Sequence, residues 1–291
     1  MKKWNCILCS ILLIGLFSGC QGKTESCQIA ATTLPVYEFT AILCEGTDLK
    51  VCQIVTENIS CLHDYTLQSS QMRQVEAADT LVISGGGLED FLNDVLSSKD
   101  AIIDASQQIE LLCGEDHHDH SHSHSHEQDP HIWLSPENAK KMAVNICNGL
   151  TAQYPQYAAA FSCNLEVLTS KLNALQAYGT DTLSHLSCRE LITFHDGFAY
   201  FADAFNLSIL KAVEEESGSE ASAAELKELI ALVDTRTLPA IFTEVNGSDS
   251  SARIISAEAG VAIYPLDMAI SEGSYFDAMY RNIDTIKEAL G

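Results

Sequence analysis

The residues best equipped for chemistry in this chain are its histidines, and seven of them crowd into positions 117–131. The stretch from His117 to Pro136 reads HHDHSHSHSHEQDPHIWLSP. His117, His118, His120, His122, His124 and His126 are interleaved only with Asp and Ser, while His131 stands apart within DPHIWLSP. Neutral imidazole is the commonest protein ligand for zinc and its neighbours, so the chemistry these residues point to is metal binding. The two parts differ in kind. The six-histidine run offers many two- and three-imidazole combinations and preorganises none, which suits weak collection. His131 is followed by Ser135 as a good N-cap, Pro136 at the first helical position and Glu137 in the first turn, a context that fixes a side chain in space.

Two further histidines stand where a strand gives way to a helix: His63, before Asp64, and His195, before Asp196-Gly197. Asp267 falls at the end of the last strand-like run. In open α/β sheets, ligands bind at the carboxyl ends of strands. Three imidazoles and one carboxylate match zinc in ligand number and type. Plainer roles are open for each residue: His63 and His195 beside turn signals, Asp267 as a cap for the last helix. Cys61, two residues before His63, offers a thiolate to the same place, and His185 has no such context and reads as a surface residue. No HExxH or comparable metal-plus-base motif is present, and a fourth protein ligand would close the site to water, so no enzyme activity is expected.

The elements that must position these residues alternate. Apolar, β-rich runs predict strands over 27–34, 49–55, 80–84, 101–105, 190–194, 208–213, 240–243 and 261–264. Helical spacing predicts helices over 35–43, 71–78, 88–96, 136–150, 198–205, 223–235, 248–259 and 275–290. From 156 to 178 apolar residues recur at helical spacing without Gly or Pro until Tyr178, which makes one long connecting helix. The expected fold is α/β: two lobes, each a mostly parallel sheet flanked by helices, over 27–150 and 187–291, joined by a helical region over 151–186. Residues 114–128 contain no apolar side chain and are expected to form a disordered surface loop within the first lobe.

Composition narrows the partners. The chain has 291 residues, 46% hydrophobic and 19% charged, with a formal net charge of −24. Such acidity argues against nucleic acid, whose phosphates demand Lys and Arg, and suits a protein that attracts cations. Met1-Lys2-Lys3 precedes an apolar run over 7–17 that is too short to span a bilayer, and Leu16-Phe17-Ser18-Gly19-Cys20 resembles the lipobox of bacterial lipoproteins. On that resemblance residues 1–19 are a signal peptide, Cys20 carries a lipid anchor, and 20–26 form a tether on the outer face of a membrane. Eight cysteines follow Cys20, none in a CxxC pair, so a structural zinc finger is not expected; disulfides are permitted but their pairing does not follow from the sequence.

Several blocks together are similar to one family. Leu62-His63-Asp64-Tyr65 resembles a Pro-His-Asp-Tyr ligand loop, and Gly85-Gly86-Gly87-Leu88-Glu89 a Gly-rich turn followed by Leu-Glu. Asp129-Pro-His131-Ile-Trp-Leu-Ser-Pro136 is the most diagnostic segment. Phe194-His195-Asp196-Gly-Phe-Ala-Tyr-Phe201 resembles Phe-His-Asp-Ala-Phe-Gly-Tyr-Phe, and Ile241-Phe-Thr-Glu244 and Pro265-Leu-Asp267 match later landmarks. These identify the chain as resembling the cluster A-I solute-binding lipoproteins of ABC transporters, most of all the zinc-uptake members, over nearly its whole mature length. The resemblance implies zinc held in an interlobe cleft by His63, His131, His195 and Asp267, with Glu244 as a fallback for the fourth position. It also implies a rigid connecting helix, a monomer, an ABC permease and its ATPase as partners, and a His-rich accessory loop. Manganese-type members carry a carboxylate where His195 stands, and harder oxygen ligands suit manganese, which ranks that metal second. The chain departs from the pattern at Leu62, where Pro is usual, and at Thr-Leu-Gln after Tyr65. Two other classes compete: a zinc hydrolase, for which no base motif exists, and a surface adhesin, a label some members carry.

Overall fold

Short apolar runs and amphipathic ones alternate along the chain and assemble into two four-stranded sheets, all parallel. In this computed structural model residues 27–57, 59, 62, 65–112, 128–214 and 221–291 are described. The first sheet comprises β1 (Ile29–Ala31), β2 (Val51–Gln53), β3 (Thr80–Ile83) and β4 (Ile102–Asp104), in the order β2-β1-β3-β4. Helices α1 (Leu34–Leu43), α2 (Ser69–Ala77) and α3 (Asn93–Leu96) connect them. Two helices then cross to the second half, α4 (Pro136–Gln153) and α5 (Ala158–Thr182). The second sheet comprises β5 (Glu190–His195), β6 (Ser208–Glu214), β7 (Ala240–Glu244) and β8 (Ala262–Leu266), in the order β6-β5-β7-β8. Its helices are α6 (Ala199–Ala204), α7 (Ala223–Arg236), α8 (Ser250–Ala259) and α9 (Tyr275–Leu290). The two lobes therefore repeat one topology, each reversing strand order beside its first strand, where α/β proteins place their ligands.

The expected two-lobe α/β fold is present, with local differences that have physical causes. The helix expected over 88–96 is instead a 3-10 turn (Asp90–Leu92) running into the short α3. Glu89 is drawn inward: its carboxylate accepts from Thr32 Oγ1 (2.6 Å) and from the amides of Ser84 (2.7 Å) and Gly85 (3.0 Å), pinning the carboxyl ends of β1 and β3 together. Burial pushes that carboxyl up to about 7, against the pull of the three donors. The connecting helix is longer than expected and its polar tail runs on to Thr182. His195 is the last residue of β5, not the first of the loop. The expected signal peptide (1–19), Cys20, the tether over 20–26, and residues 113–127 with their six histidines lie outside the described residues.

A disulfide joins Cys27 to Cys52 and so ties the start of β1 to β2. Of the other described cysteines, Cys44 and Cys147 are buried, and burial pushes the Cys44 thiol up to about 12, leaving it a small protonated hydrophobe. No helix among the described residues is long and apolar enough to cross a membrane.

The lobes do not touch through a helix alone. One apolar core runs through both, carrying Phe39 and Leu43 of α1, Trp133, Phe161 and Leu172 of α5, Phe201, Tyr275 and Ile283. The segment between β8 and α9 is bonded across to the first lobe at several points. Ile270 O accepts from Leu34 N (2.7 Å), Ser271 O from Gln53 Nε2 (2.6 Å), and Glu38 accepts from Tyr275 N (2.6 Å). Trp133 Nε1 donates to Met268 O (2.8 Å), and Tyr275 Oη donates to Trp133 O (2.9 Å). A shared core bonded this way resists hinge opening, because separating the lobes would expose it to water.

Candidate metal centre

His131 is placed by a chain of local decisions. Ile132–Leu134 form a 3-10 turn that buries all three side chains, and Ser135 then caps α4 by accepting from Asn138 N (3.4 Å). Removing such a cap costs about 1 kcal/mol. Asp129 captures His131 from the other side: its Oδ1 accepts from His131 N (2.9 Å) and lies 2.8 Å from His131 Nδ1. A carboxylate only accepts, so Nδ1 carries a proton, and in the neutral ring a metal needs, the lone pair is on Nε2. This is how metal-ligating histidines are commonly held, with a carboxylate behind the ring fixing its tautomer and orientation. The second oxygen, Asp129 Oδ2, is buried with no hydrogen-bond partner among the described residues.

The second imidazole comes from the other lobe. His195 ends β5, and its ring lies 5.4 Å from that of His131 at an interplanar angle of 83°. Both histidines are 2% exposed. Gly197 packs directly against the pair: a Cβ there would lie 2.6 Å from Met268 Cε, 2.8 Å from His195 Cδ2 and 3.0 Å from His131 Nδ1. Two buried imidazoles, one with its nitrogen aimed by a carboxylate, form a donor pair suited to zinc.

His63 and Cys61 lie outside the described residues, though the chain on either side is tied down. Tyr65 N donates to Leu62 O (3.0 Å), Leu62 is buried in the core, and Tyr65 Oη donates to Glu57 Oε2 (2.5 Å). That hydrogen bond, foremost, holds the Glu57 carboxyl below the usual carboxylate range. Asp267 follows β8 as expected, but its oxygens are engaged: Oδ1 accepts from Ala269 N (2.8 Å) and Oδ2 from the Arg281 guanidinium (2.9 Å). Asn282 holds its backbone from both sides. Asp267 and Glu244 both line a cavity of about 310 Å³ with Met268, Glu272 and Arg281. His185 is exposed. Among the described residues no three His, Cys, Asp or Glu side chains gather into a group able to hold a metal. Sequence reasoning missed Asp129 and Gly197 as working parts of the site. Both sit within motifs already singled out, and the Asp-Pro turn signal before His131 was the available clue to Asp129.

Two parallel α/β lobes with one shared core, and imidazoles from each lobe meeting at their junction, define a bilobal solute-binding protein of the metal-handling kind. Residues 29–289 match the family described as "ZnuA: Zinc-uptake complex component A periplasmic". The chain is 30% identical to the zinc-binding lipoprotein AdcA of Streptococcus pneumoniae serotype 4, over 99% of this chain and 61% of that protein. It thus spans about three fifths of the length of the first curated relatives it matches. A crystal structure of ZnuA superposes with a TM-score of 0.81 at 28% identity, over 91% of this chain and 100% of that one. The Zn(II)-bound ZnuA-like domain of Streptococcus pneumoniae AdcA superposes with a TM-score of 0.77 at 28% identity, over 91% and 99%. The chain belongs to the ZnuA family, the zinc-type branch of the cluster A-I solute-binding proteins.

Proposed function

We propose that this chain captures zinc outside the cytoplasm and delivers it to an ABC permease driven by a cytoplasmic ATPase. The observation that carries this reading is the buried pair His131 and His195, with Asp129 behind the first ring. His63 supplies the third imidazole, and Asp267 completes the set by exchanging its bond from the exposed Arg281 for the metal while Oδ1 keeps Ala269 N. The six histidines over 117–126 collect zinc weakly and feed the site. Cys20 carries a lipid anchor that keeps the protein, as a monomer, at the membrane face where the permease works. The lobes divide at 27–150 and 187–291, with 151–186 between them. The cargo is bound and released unchanged, so no catalytic step is involved.

Imidazole nitrogen favours zinc over manganese, whose harder ion prefers oxygen, whereas copper would outrank zinc on ligand type alone. Discrimination against manganese is therefore built into the donors, and discrimination against copper rests on site geometry and metal availability. Competition calorimetry between zinc and manganese tests this. Zinc should displace manganese completely with one tight site per chain; manganese binding as tightly as zinc would overturn the assignment.

A further inference from the structure

We infer that Tyr200 is a positioning residue for the metal site, fixing the Asp129 that holds the His131 imidazole; this rests on the zinc-capture reading above. Tyr200 lies on α6, five residues after His195, and is 4% exposed. Its hydroxyl donates to Asp129 O (2.9 Å) and accepts from Leu112 N (2.8 Å). Asp129 N in turn donates to Leu112 O (2.9 Å).

These three bonds have a recognisable pattern. Two residues facing each other in an antiparallel hydrogen-bonded pair exchange both N–H···O bonds directly. Leu112 and Asp129 make one of those bonds directly and relay the other through the Tyr200 hydroxyl. The hydroxyl is a spacer inserted in the rung, and it holds the Asp129 carbonyl away from the Leu112 amide. Asp129 is also the residue whose carboxylate grips His131 at both its backbone N and its Nδ1. The same tyrosine belongs to the turn and helix that follow His195. One hydroxyl therefore joins the helix that follows one imidazole to the backbone of the residue whose carboxylate stands behind the other, across the two lobes.

Replacing Tyr200 by Phe keeps the ring and removes the spacer. The Leu112–Asp129 rung can then close directly, so the fold loses little, but Asp129 moves and its hold on His131 loosens. Removing such outer partners of a metal ligand weakens metal binding about 10- to 100-fold.

The test compares zinc affinity, by competition with a chromogenic chelator, for wild type, Y200F, D129N and the double variant, alongside the ¹⁵N spectrum of His131. Y200F should bind zinc about tenfold more weakly, with a mixed His131 tautomer and a melting temperature near wild type. The double variant should be little weaker than D129N alone, because Tyr200 acts through Asp129. Affinity within twofold of wild type with an unchanged tautomer, or fully additive losses, would overturn the role. Should Y200F fail to fold, amide exchange in the wild-type protein carries the test. Zinc should slow exchange at Leu112, and no change there would overturn the role equally. H131A and H195A separate this from the parent reading: if they bind zinc as wild type does, zinc capture at the pair is itself wrong, whatever Y200F does.

Discussion

His131 and Asp267 offer two donors of the kind a zinc site uses, one from each lobe, and each comes with a charged partner already in place. The partners act in opposite senses. Asp129 accepts at the rear of the His131 ring and leaves the other nitrogen with its lone pair, so the contact prepares a ligand. Arg281 donates to the oxygen that Asp267 would offer, while Ala269 N takes the other, so those contacts occupy a ligand. Exposure follows the same division: His131 is 2% exposed, whereas the Asp267 and Arg281 side chains are 22% and 60% exposed. An exposed ion pair of this sort contributes little and exchanges readily. On the proposed ligand set, the contrast predicts tight binding by the imidazoles and an adjustable contribution from the carboxylate.

Breaking the imidazole side should have the largest effect. H131A or H195A should each weaken zinc binding by at least about 100-fold, since either removes a ligand from a buried site. Equilibrium dialysis with a chelator buffer measures this, and a loss below tenfold would mean the pair is not the tight site. Weakening the support without removing the ligand comes next. D129N keeps the shape but replaces a carboxylate by an amide behind the ring, and should cost about tenfold or more, by the same assay. The carboxylate side should respond least. D267N is expected to cost only a few-fold and R281Q to strengthen binding slightly, because Asp267 must leave Arg281 before it can serve. An effect of D267N as large as that of H131A would reverse the comparison and make Asp267 a principal ligand.

Much of this arrangement was legible in the sequence. The helix over 275–290 emerged as α9 at Tyr275–Leu290, because its apolar residues repeat on one face from a Ser274 cap. The sequence sets His195 and Asp267 where a strand gives way to a helix, and in the fold His195 closes β5 and Asp267 follows β8. The partners were not legible. Arg281 lies 14 residues beyond Asp267 on α9, and Tyr200 is 71 residues from Asp129, so both contacts exist only once the lobes are packed. Glu89 shows the same limit locally. Its leucine-rich neighbourhood reads as helix, but a buried carboxylate with three donors at the ends of β1 and β3 fixes the turn first. Periodicity reports which face of an element is buried; it does not report which polar atom will be needed to close a junction.

The six histidines at 117–126 and the lone His131 lie in one stretch, and in the proposed reading only His131 belongs to the tight zinc site. The direct measurement is calorimetric zinc titration of the chain lacking residues 114–128, with and without H131A. The deletion alone should retain one tight zinc per chain, and adding H131A should abolish it. Loss of the tight site on deletion, or its survival in the H131A variant, would contradict the account.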